Sequence, residues 1–449
     1  MIAPAPAPRP LGWPSIVRLG LVQSAIGAVV MLATSVLNRI MVVEYALPAA
    51  LPAGLVAWHY AVQLSRPVWG HGSDKGRRRT PWIVAGMGVL ALGALLAVEA
   101  LAIIRAAPVA GVLLSILAYA LIGAGVGAAG TSLLALLATQ VAPARRAAAA
   151  SITWIMMVMG IVVTAGIASK LVDPFSLPRL ALIVGGIVAG AFVLSCLAVW
   201  RVERPGLSFT DPIAAQDNGA SFGDAVREML RDPDAGRFTL FVFLSMFAYS
   251  MQDLILEPFA GLRFGYTPGQ STGLSSVQHM GVLSGMVLAG VGGSAFGGGS
   301  AAAMRRWIFG GCIGSALALT GLAMAARVGP GWPLAGNIFA LGFANGVFAV
   351  AAIGAMMGLA GAAGPRREGM RMGVWGAAQA IAFGAGGLVG AVGVDIGRWA
   401  MGDTSRAFIL VFASEALLFL VAAGLALRLS GWSAPRRAST HKTDREFAL

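Results

Sequence analysis

The chain has 449 residues, of which 57% are hydrophobic and only 11% are charged. A soluble domain carries about twice that charged fraction, so the composition excludes an ordinary soluble protein and indicates a chain that folds in lipid. The net charge of +13 would suggest a nucleic-acid partner for a soluble protein. In a membrane protein, basic cytoplasmic loops explain it, and we predict no nucleic-acid partner.

Apolar runs long enough to cross a hydrocarbon core about 30 Å thick recur along the whole chain. A polar interruption at 201–236 divides them into two six-helix halves, 16–200 and 237–430, between tails at 1–15 and 431–449. The predicted fold class is all-α, a polytopic membrane protein with the layout of the major facilitator superfamily. The twelve predicted spans are 16–38, 49–70, 81–104, 109–139, 147–170, 179–200, 238–262, 271–293, 305–327, 333–360, 370–394 and 406–430.

Basic residues are distributed unevenly between the loops. If the N-terminus is cytoplasmic, the inner loops and the C-terminal tail hold most of the lysines and arginines, including the cluster at 75–79. The outer loops hold far fewer, such as Arg105, Lys170, Arg327 and Arg398. Because cytoplasmic loops of membrane proteins collect Lys and Arg, we predict that both termini are cytoplasmic.

Two histidines lie at matching positions of the two halves. Arg18 opens the first predicted helix and Arg237 opens the seventh; His59 follows Arg18 by 41 residues, and His279 follows Arg237 by 42. A neutral imidazole in an apolar helix can be the axial ligand of a magnesium chlorin, and the alternative is an interhelical hydrogen bond. Trp58 could stack on such a macrocycle or face lipid at the membrane interface.

Several ionisable residues lie inside or at the ends of the spans, where they are costly in lipid and usually face the bundle interior. Asp253 and Glu257 are spaced i,i+4, which places both carboxylates on one helix face. They could hold a cation, a proton or an arginine, or form a structural ion pair with Arg39 or Arg263. Glu99 and Glu415 lie in the peripheral helices three and twelve, where a structural role is favoured. The residues that we expect to line the cavity or gate are Arg18, Arg39, Glu44, Arg66, Asp253 and Glu257.

The loop after the second span, GHGSDKGRRR, resembles the loop between helices two and three of major facilitators, G-x-x-x-D-[RK]-x-G-[RK]-[RK]. It is one residue short between Lys75 and Gly76, and the corresponding loop of the second half, GGSAFGGGSAAAMRR, has no Asp. The motif therefore predicts the fold but not an intact gate. Its residues are Gly70, Asp74, Lys75, Gly76, Arg77 and Arg78.

Signatures of catalysis are missing from the sequence. We find no nucleotide-binding loop, no metal-ligand spacing, no nucleophile elbow and no Asp-x-x-Asp prenyltransferase motif. Cys196 and Cys312 lie in apolar runs and are expected to be small core residues. We therefore predict that the chain binds no nucleotide, holds no metal of its own and is not an enzyme.

Four segments carry a more specific resemblance: RLGLVQSAIG, SVLNRIMVVEYALPAAL, YSMQDLILEPFAGLRFG and TGLSSVQHMGVLSGM. With them the chain resembles the PucC family, major-facilitator-like proteins of phototrophic bacteria. The resemblance covers most of the chain and is strongest in helices one, two, seven and eight. It implies a bacterial inner, intracytoplasmic membrane and the handling of bacteriochlorophyll during pigment synthesis or light-harvesting complex assembly.

The resemblance favours a carrier or assembly factor that binds bacteriochlorophyll or a late precursor as cargo. The partners would be membrane lipid, the tetrapyrrole pigment, and light-harvesting polypeptides or the pigment synthase. His59, His279 and Trp58 are the candidate pigment-binding residues. Two alternatives are a proton-coupled transporter of a small solute, with Asp253 and Glu257 as coupling carboxylates, and an accessory subunit of the membrane bacteriochlorophyll synthase. The sequence leaves open whether the chain forms a homo-oligomer.

Overall fold

The fold is known from a computed structural model of the chain. It describes residues 10–66, 69, 78–142, 145–203, 227, 231, 233–295, 301–362 and 365–428. All regular secondary structure in these ranges is helical. The prediction of an all-α membrane protein is confirmed.

Six helices form the first part of the chain. The first of them continues beyond Met31 as two π-helical turns, Leu32–Leu37 and Ile40–Glu44, so the apolar span runs from Trp13 to Glu44. It is therefore longer than predicted, and it contains Arg39 and Glu44. The bounds are α1 Trp13–Met31, α2 Ala50–Gln63, α3 Thr80–Ile103, α4 Pro108–Gln140, α5 Arg146–Leu171 and α6 Leu177–Val199.

In the described ranges, six long helices follow the polar interruption. The seventh begins inside the predicted linker and continues, after a break at residues 254–255, as the short helix Leu256–Phe264. Gly265, with φ +68°, ends that short helix in the left-handed conformation that glycine adopts at little cost. The bounds are α7 Pro233–Asp253, α8 Pro268–Ala295, α9 Ala301–Val328, α10 Leu334–Ala362, α11 Pro365–Met401 and α12 Thr404–Leu427.

Eleven helical segments in the described ranges are long and apolar enough to cross a membrane. The remaining predicted span is α2, of which 14 residues are described as a continuous helix. Most of the linker and both distal tails lie outside the described residues, so the exact limits of the two halves stay a prediction.

The helix contacts of the first half recur in the second half between helices whose numbers are six higher. In the first half, α1 packs against α5 and α6, α2 against α4, and α3 against α4 and α6. In the second half, α7 packs against α11 and α12, α8 against α10, and α9 against α10 and α12. The halves meet where α2 packs against α11 and α5 against α8. Each helix of the first half thus has its counterpart six helices later.

Glycines allow the closest of these contacts. A Cβ placed on Gly285 of α8 would overlap the carbonyl oxygen of Phe343 on α10, whereas a Cβ on Gly290 of the same helix would meet nothing within 4 Å. Membrane helices pack through such small residues. We expect Gly285→Val to destabilise the folded protein by about 1–3 kcal/mol, because the two backbones must separate.

The matched control is Gly290→Val, which adds the same side chain on the open face of α8. Thermal unfolding in detergent checks the pair. A similar loss in both variants would show that valine disturbs the helix itself rather than its contact with α10.

Candidate functional site

The end of α1 reaches across to the second half of the chain. Arg39 is only 1% exposed, and its guanidinium makes three polar contacts. Nε donates to Ser271 Oγ at 2.9 Å, Nη1 lies 2.5 Å from Glu44 Oε1, and Nη2 donates to the Tyr266 carbonyl at 2.7 Å. Arg39 therefore pairs with Glu44 of its own segment and ties that segment to α8.

A buried carboxylate lies beside this arginine. Glu257 is 3% exposed, and its Oε1 accepts hydrogen bonds from the hydroxyls of Ser35 and Ser275. The two hydroxyl oxygens are 3.1 Å apart, and Glu257 Oε2 has no hydrogen-bond partner. Arg39 and Glu257, with their partners Ser35, Glu44, Tyr266, Ser271 and Ser275, form what we call the cross-half cluster.

The predicted structural ion pairs of Asp253 and Glu257 are not formed. Arg39 bonds to Glu44, and Arg263 donates to the carbonyls of Ala326 and Arg327 at the end of α9. Asp253 is half-buried and lies beside Gln278 of α8. Glu257 therefore lies near Arg39 without pairing with it, and Asp253 lies beside a neutral amide.

Glu415, for which we expected a structural role, faces the interior of the bundle. It is fully buried where α12 packs against α7, close to Asp253, and neither of its carboxylate oxygens has a hydrogen-bond partner. The neighbouring Gln252 is also fully buried and without side-chain partners. Because α12 was expected to be peripheral, the sequence did not indicate that Glu415 lies among other polar residues in the interior.

His59 is enclosed in the protein. It is 2% exposed, and its Nε2 lies 2.8 Å from the Gln63 side-chain nitrogen. Arg66 donates to the amide oxygen of Gln63, so three side chains form a series along α2. The ring of His59 is therefore enclosed in this conformation and bonds to a side chain of its own helix, rather than making the interhelical hydrogen bond that was the alternative to pigment binding.

His279 is placed differently. Its Nδ1 lies 2.8 Å from the carbonyl oxygen of Ser275, one turn earlier on α8. Because a carbonyl can only accept, Nδ1 carries the proton and Nε2 keeps its lone pair. The ring is half-buried, and no partner of Nε2 occurs among the described residues. A histidine fixed in this tautomer is prepared to bind a metal ion through Nε2.

The two histidines are not equivalent in the repeat. On α2, the carbonyl of His59 packs against the position of Gly123 on α4; on α8, it is the carbonyl of Gln278 that packs against Gly342 on α10. By this contact with a glycine of the neighbouring helix, Gln278 rather than His279 corresponds to His59. One residue turns a helix by about 100°, so the one-residue difference in spacing separates the two rings.

The side chains of Trp58 and Arg18 both donate hydrogen bonds to backbone carbonyls of other helices. The indole nitrogen of Trp58 donates to the carbonyl of Ile116 on α4 at 3.2 Å, and the ring is 43% exposed on the outside of the bundle. Arg18 donates to the carbonyls of Leu197 and Trp200 at the end of α6. A cation at this position complements the negative end of the helix dipole.

The loop motif lies almost entirely outside the described residues. Gly70, Asp74, Lys75, Gly76 and Arg77 are not described, and Arg78 is exposed at the edge of the next described range. The interpretation of this motif therefore stays a prediction.

Two aspartates that were not among the predicted site residues join the halves. Asp395, near the end of α11, accepts from the backbone N–H groups of Ala49 and Ala50 at 3.1 and 2.7 Å, where α2 begins. Asp173, just after α5, accepts from Thr267 Oγ1 at 2.5 Å and from the Gly269 N–H at 3.1 Å, where α8 begins. We call the end of the bundle at which α2 and α8 begin the capped end.

This helix arrangement defines a polytopic membrane protein of the major facilitator type. The nucleoside transporter NupG superposes with a TM-score of 0.65 at 12% identity, covering 93% of this chain and all of that one. A bacterial homologue of the human lysosomal transporter Spinster, in an inward-facing and occupied conformation, gives a TM-score of 0.67 at 14% identity over 92% of this chain and 96% of that one. At these identities the likeness shows the fold alone.

The chain belongs to the PUCC protein family, whose model matches residues 36–433. It is 52% identical over 416 residues to a protein of Rhodobacter capsulatus named bacteriochlorophyll synthase 44.5 kDa chain, covering 93% of this chain and 95% of that protein. It is 28% identical to protein PucC of Rhodobacter capsulatus, with 92% of each chain covered. The predicted family is confirmed, and the relatives' names connect it with the bacteriochlorophyll pathway.

Proposed function

We propose that this chain is a carrier and assembly factor for bacteriochlorophyll or a late precursor, and that it catalyses no reaction itself. The observation that carries the proposal is the 52% identity, over nearly the full length, to a chain named for bacteriochlorophyll synthesis. We place it in the inner, intracytoplasmic membrane of a bacterium with both termini in the cytoplasm. The capped end then faces away from the cytoplasm.

His279 supports this proposal by its chemistry. Its Nε2 lone pair is directed by the Nδ1–H bond to Ser275, and a neutral imidazole suits the axial position of a chlorin magnesium. The ring lies one turn from Ser275, which contacts Glu257 of the cross-half cluster. A chlorin held there would have apolar helix faces around its ring and polar groups at one edge.

The side chains of the described residues support a function without catalysis. Among the described residues, no group of three or more His, Cys, Asp or Glu side chains could hold a metal ion. Glu257 and Glu415 are buried and Asp253 is half-buried; Glu257 accepts from the hydroxyls of Ser35 and Ser275, and Asp253 lies beside the amide of Gln278. This arrangement can exchange a proton or hold a polar edge of a ligand, but it lacks an activated attacking group.

Two other functions each have an observation in their favour. The name of the 52% identical relative favours an accessory subunit of the membrane synthase, which tight co-purification with that enzyme would support. The transporter fold, together with half-buried Asp253 and buried Glu257, favours a proton-coupled transporter of a small solute. Substrate-dependent proton uptake in proteoliposomes, lost in Asp253→Asn, would support that second alternative.

A pigment-transfer assay tests the proposal. Vesicles loaded with bacteriochlorophyll are mixed with light-harvesting polypeptides in separate lipid discs, with and without the purified chain in the vesicles. We expect faster formation of the red-shifted antenna absorption when the chain is present. Equal rates with the wild-type chain and with empty vesicles would contradict carriage.

A further inference from the structure

The capped end carries two equivalent contacts between the halves. α5 and α11 are counterparts in the repeat, as are α2 and α8. Asp173 follows α5 and binds the start of α8, while Asp395 lies near the end of α11 and binds the start of α2. The same type of contact is therefore made twice, once in each direction across the interface.

Each carboxylate serves as a helix N-cap supplied by the other half. The first N–H groups of a helix have no partner within the helix, and a negative charge there is favoured by the helix dipole. Asp395 accepts one N–H on each oxygen, at 3.1 and 2.7 Å. Asp173 accepts the Gly269 N–H at 3.1 Å and the hydroxyl of Thr267. The starts of α2 and α8 thus depend on the opposite half.

Packing shows that the contact at α8 is close. A Cβ on Gly269 would overlap both the Asp173 carboxylate and the carbonyl oxygen of Ser169 on α5. The loop that holds Asp173 is itself fixed, because Arg179 Nη1 donates to the carbonyls of Asp173 and Pro174 at 2.7 and 3.1 Å. The aspartate is therefore positioned before it meets α8.

Other polar contacts close the same end. Asn38 donates to the Leu254 carbonyl at 2.7 Å, and Arg39 donates to Tyr266 and Ser271. At the opposite end of the bundle, Glu203 caps the start of α3. It accepts from the backbone N–H groups of Arg79 and Thr80 at 2.7 and 2.9 Å, and all three residues belong to the first half. A cap within one half does not hold the halves together.

The geometry points to a two-part latch: we infer that Asp173 and Asp395 hold the capped end shut and release it when the halves rock apart. Both carboxylates are half-buried, as is Ala50, whereas Ala49 and Gly269 are buried and Thr267 is exposed. On opening, water can satisfy the freed N–H groups and carboxylates, so each contact is modest in strength and reversible.

Spin-label distances test the latch without any cargo. Cys196→Ser and Cys312→Ala remove the native thiols, and labels at Ala107→Cys and Val328→Cys report the capped end across the halves. Labels at Trp200→Cys and Arg428→Cys report the opposite end. Loss of one N-cap shifts an equilibrium about fivefold, so we expect Asp173→Ala or Asp395→Ala to raise the open-to-closed ratio about fivefold, and both together about twentyfold.

Asp403→Ala is the matched control. Asp403 caps its own helix, α12, through the Ser405 and Arg406 N–H groups, so its loss should leave both distance distributions unchanged. An unchanged distribution at Ala107 and Val328 in the folded double variant would overturn the latch, as would an equal change in Asp403→Ala. If the double alanine variant does not fold, the Asp173→Asn and Asp395→Asn pair, which keeps one acceptor oxygen, should show the same shift to a smaller degree. An unchanged distribution in that pair would also overturn the latch.

Discussion

Replacing Arg39 with methionine should destabilise the protein by about 3 kcal/mol, because removal of one partner strands the others in a buried position. The guanidinium is almost fully enclosed and satisfies Ser271, Glu44 and the carbonyl of Tyr266 at once. Methionine fills similar space but donates nothing. Chemical or thermal unfolding of the purified protein in detergent measures the loss.

Arg406→Met is the control for the Arg39 variant. Arg406 also has an acidic partner, Asp403 at 3.4 Å, but its side chain is 71% exposed. An exposed ion pair contributes at most about 1 kcal/mol, so this variant should unfold close to the wild type. If Arg39→Met were as stable as Arg406→Met, the cross-half cluster would not be a structural joint between the halves.

His279→Leu should weaken pigment binding by at least about tenfold, since a lost axial contact costs no less than a lost outer-shell partner. The variant removes Nε2, the ring nitrogen left without a partner by the Nδ1 bond to Ser275. Titration of the detergent-purified protein with bacteriochlorophyll, followed by its near-infrared absorption, measures the affinity. This expectation depends on the proposed function.

His59→Leu is the matched comparison for the pigment experiment. His59 is enclosed and takes part in the series with Gln63 and Arg66, so we expect lower stability but nearly unchanged pigment affinity. The reverse pattern, with affinity lost at His59 and kept at His279, would show that the conformation that binds pigment exposes α2 rather than α8.

The helices were predictable because their apolar runs are long and separated by charged or proline-containing turns. The exception at the end of α1 has a physical reason. Arg39 and Glu44 are normally signs that a span has ended, but here they satisfy each other and groups of the second half, so the helix continues to Glu44. Sequence alone does not show which charges find partners.

The repeat was predictable only to within one residue. The spacing from Arg18 and Arg237 predicted matching positions for His59 and His279, whereas the carbonyl that packs on a glycine of the neighbouring helix belongs to His59 on α2 and to Gln278 on α8. On a helix this small error moves a side chain to another face. The environment of His279 could therefore be described only once the helices were packed.

The contacts at the capped end were out of reach of sequence reasoning. Asp395 is 346 residues from Ala49, and Asp173 is 94 residues from Thr267. A lone aspartate near a helix end looks like an ordinary cap, and nothing local indicates that the helix it caps belongs to the other half. The closeness of Glu415 to Asp253 was out of reach for a similar reason, since it depends on how α12 lies against α7.

The most direct test of the account is the pigment content of the protein itself. The chain would be purified in a mild detergent from a phototrophically grown host, its near-infrared spectrum recorded, and the extracted pigment identified by chromatography. The account predicts a stoichiometric bacteriochlorophyll or late precursor that persists through washing. A folded but colourless protein, which also fails to take up added pigment, would contradict it.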